Sequence, residues 1–338
     1  MRYIDAFNHF FPKRYFDALL ESPSGAKDIG KRVRGIPALF DLDQRLRIVE
    51  QFENYTQVLS HGLPPVERLF PADKSPEMAR IANDGLAEIV AKNPKHFVGY
   101  SALLPMNAPE AAAKEVERVL KNGANAIQLA TNANGAPIDE KHFWPIYETI
   151  EKSGRPILLH PSRTRQMPDY PTETYSKYEI CSVLGWPYET GVTLSRFVFS
   201  GIMDRYPNLK VISHHLGGII PYFEGRVAHS WDQLGARTSD EDYSLLLNKL
   251  KKRPFDYFKG FYGDTALAGA RAPTICGISF FGPDHVLFAS DCPFDKEKGR
   301  GYIRSTIAVM ESLDHLSQAD REKICYKNAQ TMFGLRPS

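Results

Sequence analysis

Histidine and aspartate close several short apolar runs of this sequence, and these residue types can do chemistry. Five of the 10 histidines stand at or beside the end of such a run. Imidazole and carboxylate groups are ligands of zinc, manganese and iron, and a histidine without a metal transfers protons near neutral pH. The pattern therefore predicts a single metal ion with a catalytic histidine beside it. The residues that close these runs are His9, His61, His160, His214, His215, Asp264 and Asp291.

The apolar runs that carry these residues alternate with longer stretches of helical periodicity. Residues 75–94 and 109–124 are two such stretches, and each has a proline near its start. This alternation is typical of βα units around a parallel sheet, and eight such strands close a (β/α)8 barrel. We therefore predict an α/β fold with one TIM-barrel domain over residues 1–338. The candidate strands are residues 2–7, 56–61, 97–105, 126–130, 155–161, 209–215, 258–264 and 285–291.

A TIM barrel builds its active site at the carboxyl ends of its strands, which is where these histidines and aspartates fall. The chain exceeds the roughly 250 residues typical of the fold. We expect the surplus in residues 13–53, in a loop inserted after the fifth strand, and in C-terminal helices after Ala308. The inserted loop, residues 161–189, has cationic and aromatic side chains that suit a planar acidic substrate, although a plain surface loop is an alternative. These side chains are Arg163, Arg165, Tyr170, Tyr175, Tyr178 and Trp186.

Composition excludes several classes of partner. The 42 lysines and arginines nearly balance the 40 aspartates and glutamates, and no long block of one sign occurs, so we expect no nucleic-acid partner. The four cysteines are far apart or lack CxxC spacing, which argues against a disulfide framework. The N-terminus does not resemble a signal peptide, and no apolar run approaches the roughly 20 residues of a membrane helix. We therefore expect a soluble, cytoplasmic protein without a membrane partner.

Several of the candidate residues also have a purely structural interpretation. His61 fits a hydrogen-bonded loop residue, and Cys292 fits a packing residue. Asp264 fits the cap of the following helix at least as well as it fits a site residue. Strand alternation would point His214 and His215 to opposite faces, so only one of them would face the site. We choose His215.

Four segments resemble motifs of the amidohydrolase superfamily, and within it the amidohydrolase-2 branch that includes aminocarboxymuconate-semialdehyde decarboxylase. IDAFNHFFP resembles the HxH…P segment of strand 1, and PILLHP resembles the strand-5 histidine segment. YPNLKVISHHLGGIIPYFEGR is similar to the HxGG…PY…GR stretch of strand 6, and VLFASDCPF is similar to the TDxPF motif of strand 8. The similarity continues to NAQTMFGL near the C-terminus and so covers essentially the whole chain.

This resemblance implies roles for individual residues. His9, His160 and Asp291 match the family's metal ligands, and His215 matches its catalytic histidine. Arg226 matches an arginine that reaches into the neighbouring subunit's site to hold a substrate carboxylate. That role implies a homodimer or a higher homo-oligomer.

Position 7 departs from the family pattern. The family usually has histidine there, or glutamate in several aromatic-acid decarboxylases, whereas Phe7 has no ligand atom. Three protein ligands then remain, which suffice in many catalytic zinc sites, unless Asn8 substitutes for the missing one. We expect Phe7 and Asn8 to lie beside the substrate. We expect zinc as the metal, with manganese as an alternative, and Phe7 also leaves a metal-free site open.

The resemblance favours nonoxidative decarboxylation of a small aromatic or muconate-like carboxylic acid. The metal would hold the carboxylate or an adjacent hydroxyl, while His215 and Asp291 handle the proton delivered to carbon. A hydrolase or lactonase with the same histidines, metal-dependent or not, is one alternative. A barrel that binds a ligand without turnover is another, and Phe7 is its single supporting feature. Arg226, Arg163 and Trp186 would contact the substrate.

Overall fold

The computed structural model describes residues 1–22, 30–237 and 242–336. Eight strands form one sheet in which each strand pairs in parallel with the next one along the chain. A short antiparallel ribbon of Asn132–Ala133 and Ala136–Pro137 lies apart from this sheet. The eight strands are β1 (Tyr3–His9), β2 (Tyr55–Ser60), β3 (Phe97–Leu103), β4 (Ala126–Ala130), β5 (Ile157–His160), β6 (Val211–Ser213), β7 (Tyr262–Asp264) and β8 (Val286–Leu287).

Backbone hydrogen bonds between β1 and the segment after β8 bring the two edges of the sheet together. Ala6 donates to the carbonyl oxygen of Phe288, and His9 donates to that of Cys292, both at 2.8 Å. The predicted α/β TIM barrel is thereby confirmed. The last strand is shorter than the predicted run over residues 285–291, because beyond Leu287 the N–H of Phe288 donates to the carbonyl oxygen of Ile324 and that of Ala289 to the hydroxyl of Thr265.

Helices connect consecutive strands, as parallel pairing requires. The two helices predicted from periodicity form as Ser75–Lys92 and Pro109–Lys121, each with proline in its first turn. A π-helix covers Lys323–Lys327, and 3₁₀ turns cover Pro37–Leu39, Lys141–Phe143 and Pro283–His285. The other α-helices are Lys13–Glu21, Gly30–Arg34, Leu42–Val49, Val66–Leu69, Trp144–Ser153, Ile180–Val183, Gly185–Phe199, Ile202–Arg205, Glu224–Trp231, Ser244–Lys249, Pro254–Lys259, Arg271–Phe281, Arg300–Glu311, Gln318–Glu322 and Asn328–Phe333.

The loop predicted over residues 161–189 is shorter in the structure, because helices begin at Ile180 and Gly185. The predicted surplus of residues 13–53 is described except for residues 23–29 and is mainly helical. Residues 161–179 connect β5 to the helix Ile180–Val183 without a helix or strand of their own. Helices also follow β8 to the end of the described chain. No helix in the described ranges is long and apolar enough to cross a membrane.

An apolar cluster fills the barrel interior below the strand ends. Phe7 belongs to it, and the C-terminal helix adds Met332 and Phe333. Because the interior is packed, only the strand ends leave room for polar chemistry. The strands contribute Ile4, Val58, Ala126, Leu158, Ile212 and Leu287.

The loop after β6 packs closely on the helix Gly185–Phe199, and a glycine permits this approach. Gly218 has φ +60°, and a Cβ there would lie 2.3 Å from the carbonyl oxygen of Pro187. Gly218→Ala should therefore lower the free energy of unfolding by about 1–3 kcal/mol, since the backbone must shift. Chemical denaturation measures this change.

Gly225→Ala is the matched control, because its Cβ meets nothing within 4 Å and the residue lies in the helix Glu224–Trp231. We expect this change to be neutral or to stabilise the protein by up to about 1 kcal/mol. Equal destabilisation by both substitutions would contradict the close packing at Gly218.

Candidate metal centre and active site

His9 ends β1 and is wholly buried. Its Nδ1 lies 2.8 Å from the carbonyl oxygen of His61, so Nδ1 must donate in this bond. The backbone of His61 is itself fixed, because the side-chain amide of Gln128 bonds to both its N–H and its C=O at 2.9 Å. With a proton on Nδ1, Nε2 is the ring nitrogen left to face the interior of the site. This atom lies 3.1 Å from Oδ1 of Asp291.

His160 ends β5, and a hydrogen bond from its Nδ1 orients its ring as it does in His9. Its Nδ1 lies 2.6 Å from the carbonyl oxygen of Pro161 and donates to it, which leaves Nε2 unprotonated in the neutral ring. Burial lowers the pKa of His160 well below its ordinary value, and the neighbouring imidazoles of His214 and His9 lower it further. The ring is therefore neutral, which is the form that binds metals.

His214 follows β6 and is joined to Asp264 at the end of β7. The distance from Nδ1 to Oδ2 is 2.8 Å, and both side chains are wholly buried. Burial alone would lower the pKa of His214, but the carboxylates of Asp264 and Asp291 outweigh it and raise the pKa to about 9. The interpretation of Asp264 as a helix cap is wrong, because Ala270 occupies the N-cap of the next helix.

His215 approaches Asp291 as well, from a more open position. Its Nε2 lies 3.9 Å from Oδ2 of Asp291, and its side chain is 17% exposed whereas that of His214 is fully covered. Burial and the adjacent His214 lower the pKa of His215, so the ring is neutral near pH 7. Of the histidines around Asp291, His215 is thus the one that a substrate can reach.

The prediction that only one of His214 and His215 faces the site is wrong. Strand β6 ends at Ser213, and His215 and Leu216 have left-handed backbone conformations with φ of 56° and 53°. Strand alternation therefore stops before this pair. The two rings lie with their centroids 4.0 Å apart, and both approach Asp291.

Asp291 is the common partner of the imidazoles. Burial alone would raise its pKa, but the surrounding imidazoles of His214, His215 and His9 hold the pKa well below its ordinary value. The carboxylate is therefore ionised. Its residue has φ 61°, a left-handed conformation that marks the break after β8.

The donor atoms of this centre fit a divalent metal ion. The ligand nitrogens of His9, His160 and His214 all lie within 4.8 Å of one another. Atoms bound to one ion at about 2.1 Å lie up to about 4 Å apart, so a small contraction would bring them to a shared ion. His214, His215 and Asp291 form a second group that meets the same distance limit.

Phe7 forms the floor beneath the imidazoles. Its buried ring stacks on His214 with centroids 4.1 Å apart and an interplanar angle of 25°. The ring centroids of His9 and His160 lie 5.4 Å and 5.7 Å away. Phe7 therefore shares the side of β1 that His9 faces, as residues two apart on a strand should.

Asn8 is anchored through the nitrogen of its side chain. Nδ2 donates to the carbonyl oxygens of Asp5 at 3.3 Å and Val58 at 3.1 Å, and thus joins the backbones of β1 and β2. Its Oδ1 is buried and has no hydrogen-bond partner among the described residues. A position of Asn8 beside the substrate stays a prediction.

The first turn of the helix Gly185–Phe199, which follows the loop after β5, provides an aromatic wall. The ring centroid of Trp186 lies 5.6 Å from that of His160 and 6.5 Å from that of His215, nearly parallel to the latter at 16°. Its Nε1 donates to the carbonyl oxygen of Arg163 at 2.8 Å. The guanidinium of Arg163 donates in turn to the carbonyl oxygens of Met167 and Pro168, so this arginine shapes the loop that holds Trp186.

The remaining candidates from the loop and from the strand-6 motif lie farther out. Tyr170 and Tyr178 are 67% and 88% exposed, and Arg165 stacks on Tyr175 with a distance of 3.8 Å to the ring centroid. Arg226 is exposed on the helix Glu224–Trp231. It lines an apolar surface groove together with Phe199, Ile219 and Phe223.

Arg45 is a structural component of the site that sequence reasoning missed. It is wholly buried, and its guanidinium donates to the carbonyl oxygen of His9 and to the sulfur of Cys292. Arg45 thereby ties together the backbone at His9 and the residue next to Asp291. It lies in the polar stretch DLDQRLRIVE, where an arginine is typical of an exposed helix face, so no sequence signal marked it. Cys292 is buried against it, as its packing interpretation predicted.

The chain matches known proteins over almost its whole length. Residues 4–335 match the family model described as Amidohydrolase. Over 308 residues the chain is 32% identical to gamma-resorcylate decarboxylase from Polaromonas sp. (strain JS666), with 87% of each chain covered. Over 264 residues it is 29% identical to 2-amino-3-carboxymuconate-6-semialdehyde decarboxylase from Dictyostelium discoideum, with 78% of this chain and 68% of that protein covered.

Solved structures share the fold. A 2,6-dihydroxybenzoate decarboxylase from Rhizobium superposes with a TM-score of 0.79 at 26% identity, with 99% of each chain covered. A dihydroxybenzoic acid decarboxylase from Polaromonas sp. JS666, with bound manganese and the inhibitor 2-nitroresorcinol, gives 0.77 at 29% identity over 100% of this chain and 98% of that one. With histidines and a carboxylate gathered at the strand ends of a TIM barrel, and with a match over residues 4–335, the chain belongs to the amidohydrolase family.

Proposed function

We propose that this chain is a nonoxidative decarboxylase of a small aromatic or muconate-like carboxylic acid, with a divalent metal held by His9, His160 and Asp291. The observation that carries the proposal is the gathering of donor atoms: ring nitrogens of His9, His160 and His214 lie within 4.8 Å of one another, and Nε2 of His9 lies 3.1 Å from Oδ1 of the ionised Asp291 carboxylate. A divalent cation among these groups would bind the imidazole nitrogens and the carboxylate at the same time. The neutral ring of His160 completes the donor set.

The donors also bear on the kind of metal. Imidazole nitrogen with carboxylate oxygen suits both zinc and manganese. Zinc stays our proposed metal, with manganese as the second candidate because the Polaromonas structure contains it. When bound, such an ion supplies a positive charge that holds and polarises the substrate's carboxylate or an adjacent hydroxyl.

Decarboxylation replaces a carboxylate by a proton at one carbon atom. The bond between that carbon and the carboxylate breaks, carbon dioxide leaves, and the electron pair left on the carbon accepts the proton. His215 is placed to deliver this proton, because it is partly exposed and lies 3.9 Å from the Asp291 carboxylate. Its lowered pKa makes the protonated ring a good acid, and ionised Asp291 stabilises that ring until the transfer.

Two parts of the chain would position the substrate. Trp186 offers a flat face near His215 that suits a planar ring, and its hydrogen bond to Arg163 fixes the indole. Arg226 is too exposed to serve the buried centre of its own chain. We propose that it holds the substrate carboxylate in the site of a partner subunit, through a homodimer or higher homo-oligomer that covers the apolar groove beside it.

Decarboxylation is preferred to hydrolysis because the curated relatives named above are decarboxylases. A barrel that only binds a ligand would not need a partly exposed histidine beside an ionised carboxylate, whereas His215 lies in such a position.

Release of carbon dioxide tests the proposed reaction. Protein loaded with Zn²⁺ or Mn²⁺ should release carbon dioxide from at least one acid in a panel of hydroxybenzoates and muconates that includes 2,6-dihydroxybenzoate. Removal of the metal with a chelator should abolish the release, and added metal should restore it. Hydrolysis of esters or lactones by a protein that releases no carbon dioxide would contradict the proposal.

Substitution of His215 tests the proton transfer. His215→Asn should lower turnover by roughly 10²–10⁴-fold, the scale typical of a general acid–base group. Elemental analysis should find the metal content unchanged. His315→Asn, at an exposed histidine, is the control and should retain activity. Loss of the metal together with activity would show that His215 is a ligand.

Mixed oligomers test the position of Arg226. Arg226→Ala should impair substrate binding, because a charge-assisted contact to the carboxylate is lost. When Arg226→Ala chains are mixed with His215→Asn chains, one site in each hybrid dimer has both groups intact, so part of the activity should return. Verified hybrids without any recovery would place Arg226 outside the partner's site.

A further inference from the structure

His214 has an unused nitrogen in the middle of the proposed metal centre. Its Nε2 is buried and makes no hydrogen bond within the described chain, although it lies 3.5 Å from Oδ1 of Asp291. An orphaned polar atom in a buried site costs free energy unless another group satisfies it. We propose that His214 ligates the metal together with His9, His160 and Asp291, and so fills the coordination position that Phe7 leaves open.

The orientation of the ring supports this role. Asp264 accepts a hydrogen bond from Nδ1 of His214 at 2.8 Å, which directs Nε2 to the opposite side. Asp264 is held in turn, because its other oxygen accepts from the backbone N–H groups of His215 and Ala266. A carboxylate that orients a histidine through its other nitrogen is a recurrent support of metal ligands.

The distances place His214 with the other ligands. A ring nitrogen of His214 lies within 4.8 Å of ring nitrogens of His9 and His160. A proton on Nε2 gains no hydrogen bond in this position, and metal binding would displace it, as coordination by histidine requires.

Phe7 explains why the additional ligand comes from the residue after β6 and not from position 7 of β1. The phenyl ring fills the space under the imidazoles and stacks on His214 at 4.1 Å, so it supports the ring it lies against. The two adjacent histidines then have different roles. His214 is wholly buried and binds the metal, whereas His215 is partly exposed and transfers the proton.

Affinity for Mn²⁺ tests this inference without reference to activity. Metal-free wild type and His214→Gln are titrated with Mn²⁺ in a calorimeter. We expect His214→Gln to weaken binding by more than about 100-fold, beyond the 10–100-fold typical of residues that only support a ligand. His285→Gln, at a half-buried histidine that precedes β8 and lies outside the metal centre, is the control and should change affinity only a few-fold.

A rescue variant separates lost coordination from general disruption. Adding Phe7→His to His214→Gln returns an imidazole to the face of β1 that His9 uses, and should recover at least tenfold of the lost affinity. X-ray absorption of Mn²⁺-loaded wild type should show three imidazole ligands. This count needs no variant, so it decides the question even if His214→Gln fails to fold.

The role of His214 as a ligand rests on the proposed metal dependence. The experiment distinguishes failure of the ligand role from failure of the metal dependence. Wild type that binds no Mn²⁺ and no Zn²⁺ would overturn the proposed function itself. Wild type that binds Mn²⁺ with only two imidazole ligands, or His214→Gln with undiminished affinity, would overturn the role of His214 and leave metal dependence standing.

Discussion

His9, His160 and His214 each have Nδ1 bonded to a fixed acceptor, and this constraint arranges the centre. His9 donates to the carbonyl oxygen of His61, and His160 donates to that of Pro161. His214 uses the carboxylate of Asp264 in the same way. Because Nδ1 is occupied, Nε2 is left to face the interior of the site. The result is a set of buried donor atoms that fits a cation better than it fits a hydrogen-bond network.

The barrel brings these imidazoles and Asp291 to the same end of the sheet. The backbone bonds between β1 and the segment after β8 bring His9 beside Asp291. Arg45 donates to the carbonyl oxygen of His9 in β1 and to the sulfur of Cys292 in the segment after β8, so it links the two edges of the sheet. Left-handed residues at His215 and Asp291 then turn the chain where the strands end. A regular strand could not direct both His214 and His215 to one carboxylate.

Much of this arrangement could be predicted from the sequence. Eight apolar runs predicted the barrel, and the strand-end positions predicted that histidines and aspartates gather at one face of it. The choice of His9, His160 and Asp291 as ligands came from the family resemblance. The role of Asp264 could not be predicted, because a strand-end aspartate fits a helix cap and a histidine partner equally well. The alternation rule failed at His214 because the sequence does not show that the strand stops one residue earlier. Arg45 carried no signal, since burial of a charged helix residue depends on tertiary contacts.

The central claim is that one divalent metal sits among His9, His160, His214 and Asp291. Crystals of the protein soaked with Mn²⁺ and measured near the manganese absorption edge test it most directly, because anomalous scattering locates the metal without assumptions about its ligands. The account predicts one strong peak about 2.0–2.3 Å from Nε2 of each of these histidines and from a carboxylate oxygen of Asp291. A fully loaded crystal with no peak among these four side chains, or with its peak elsewhere in the barrel, would contradict it.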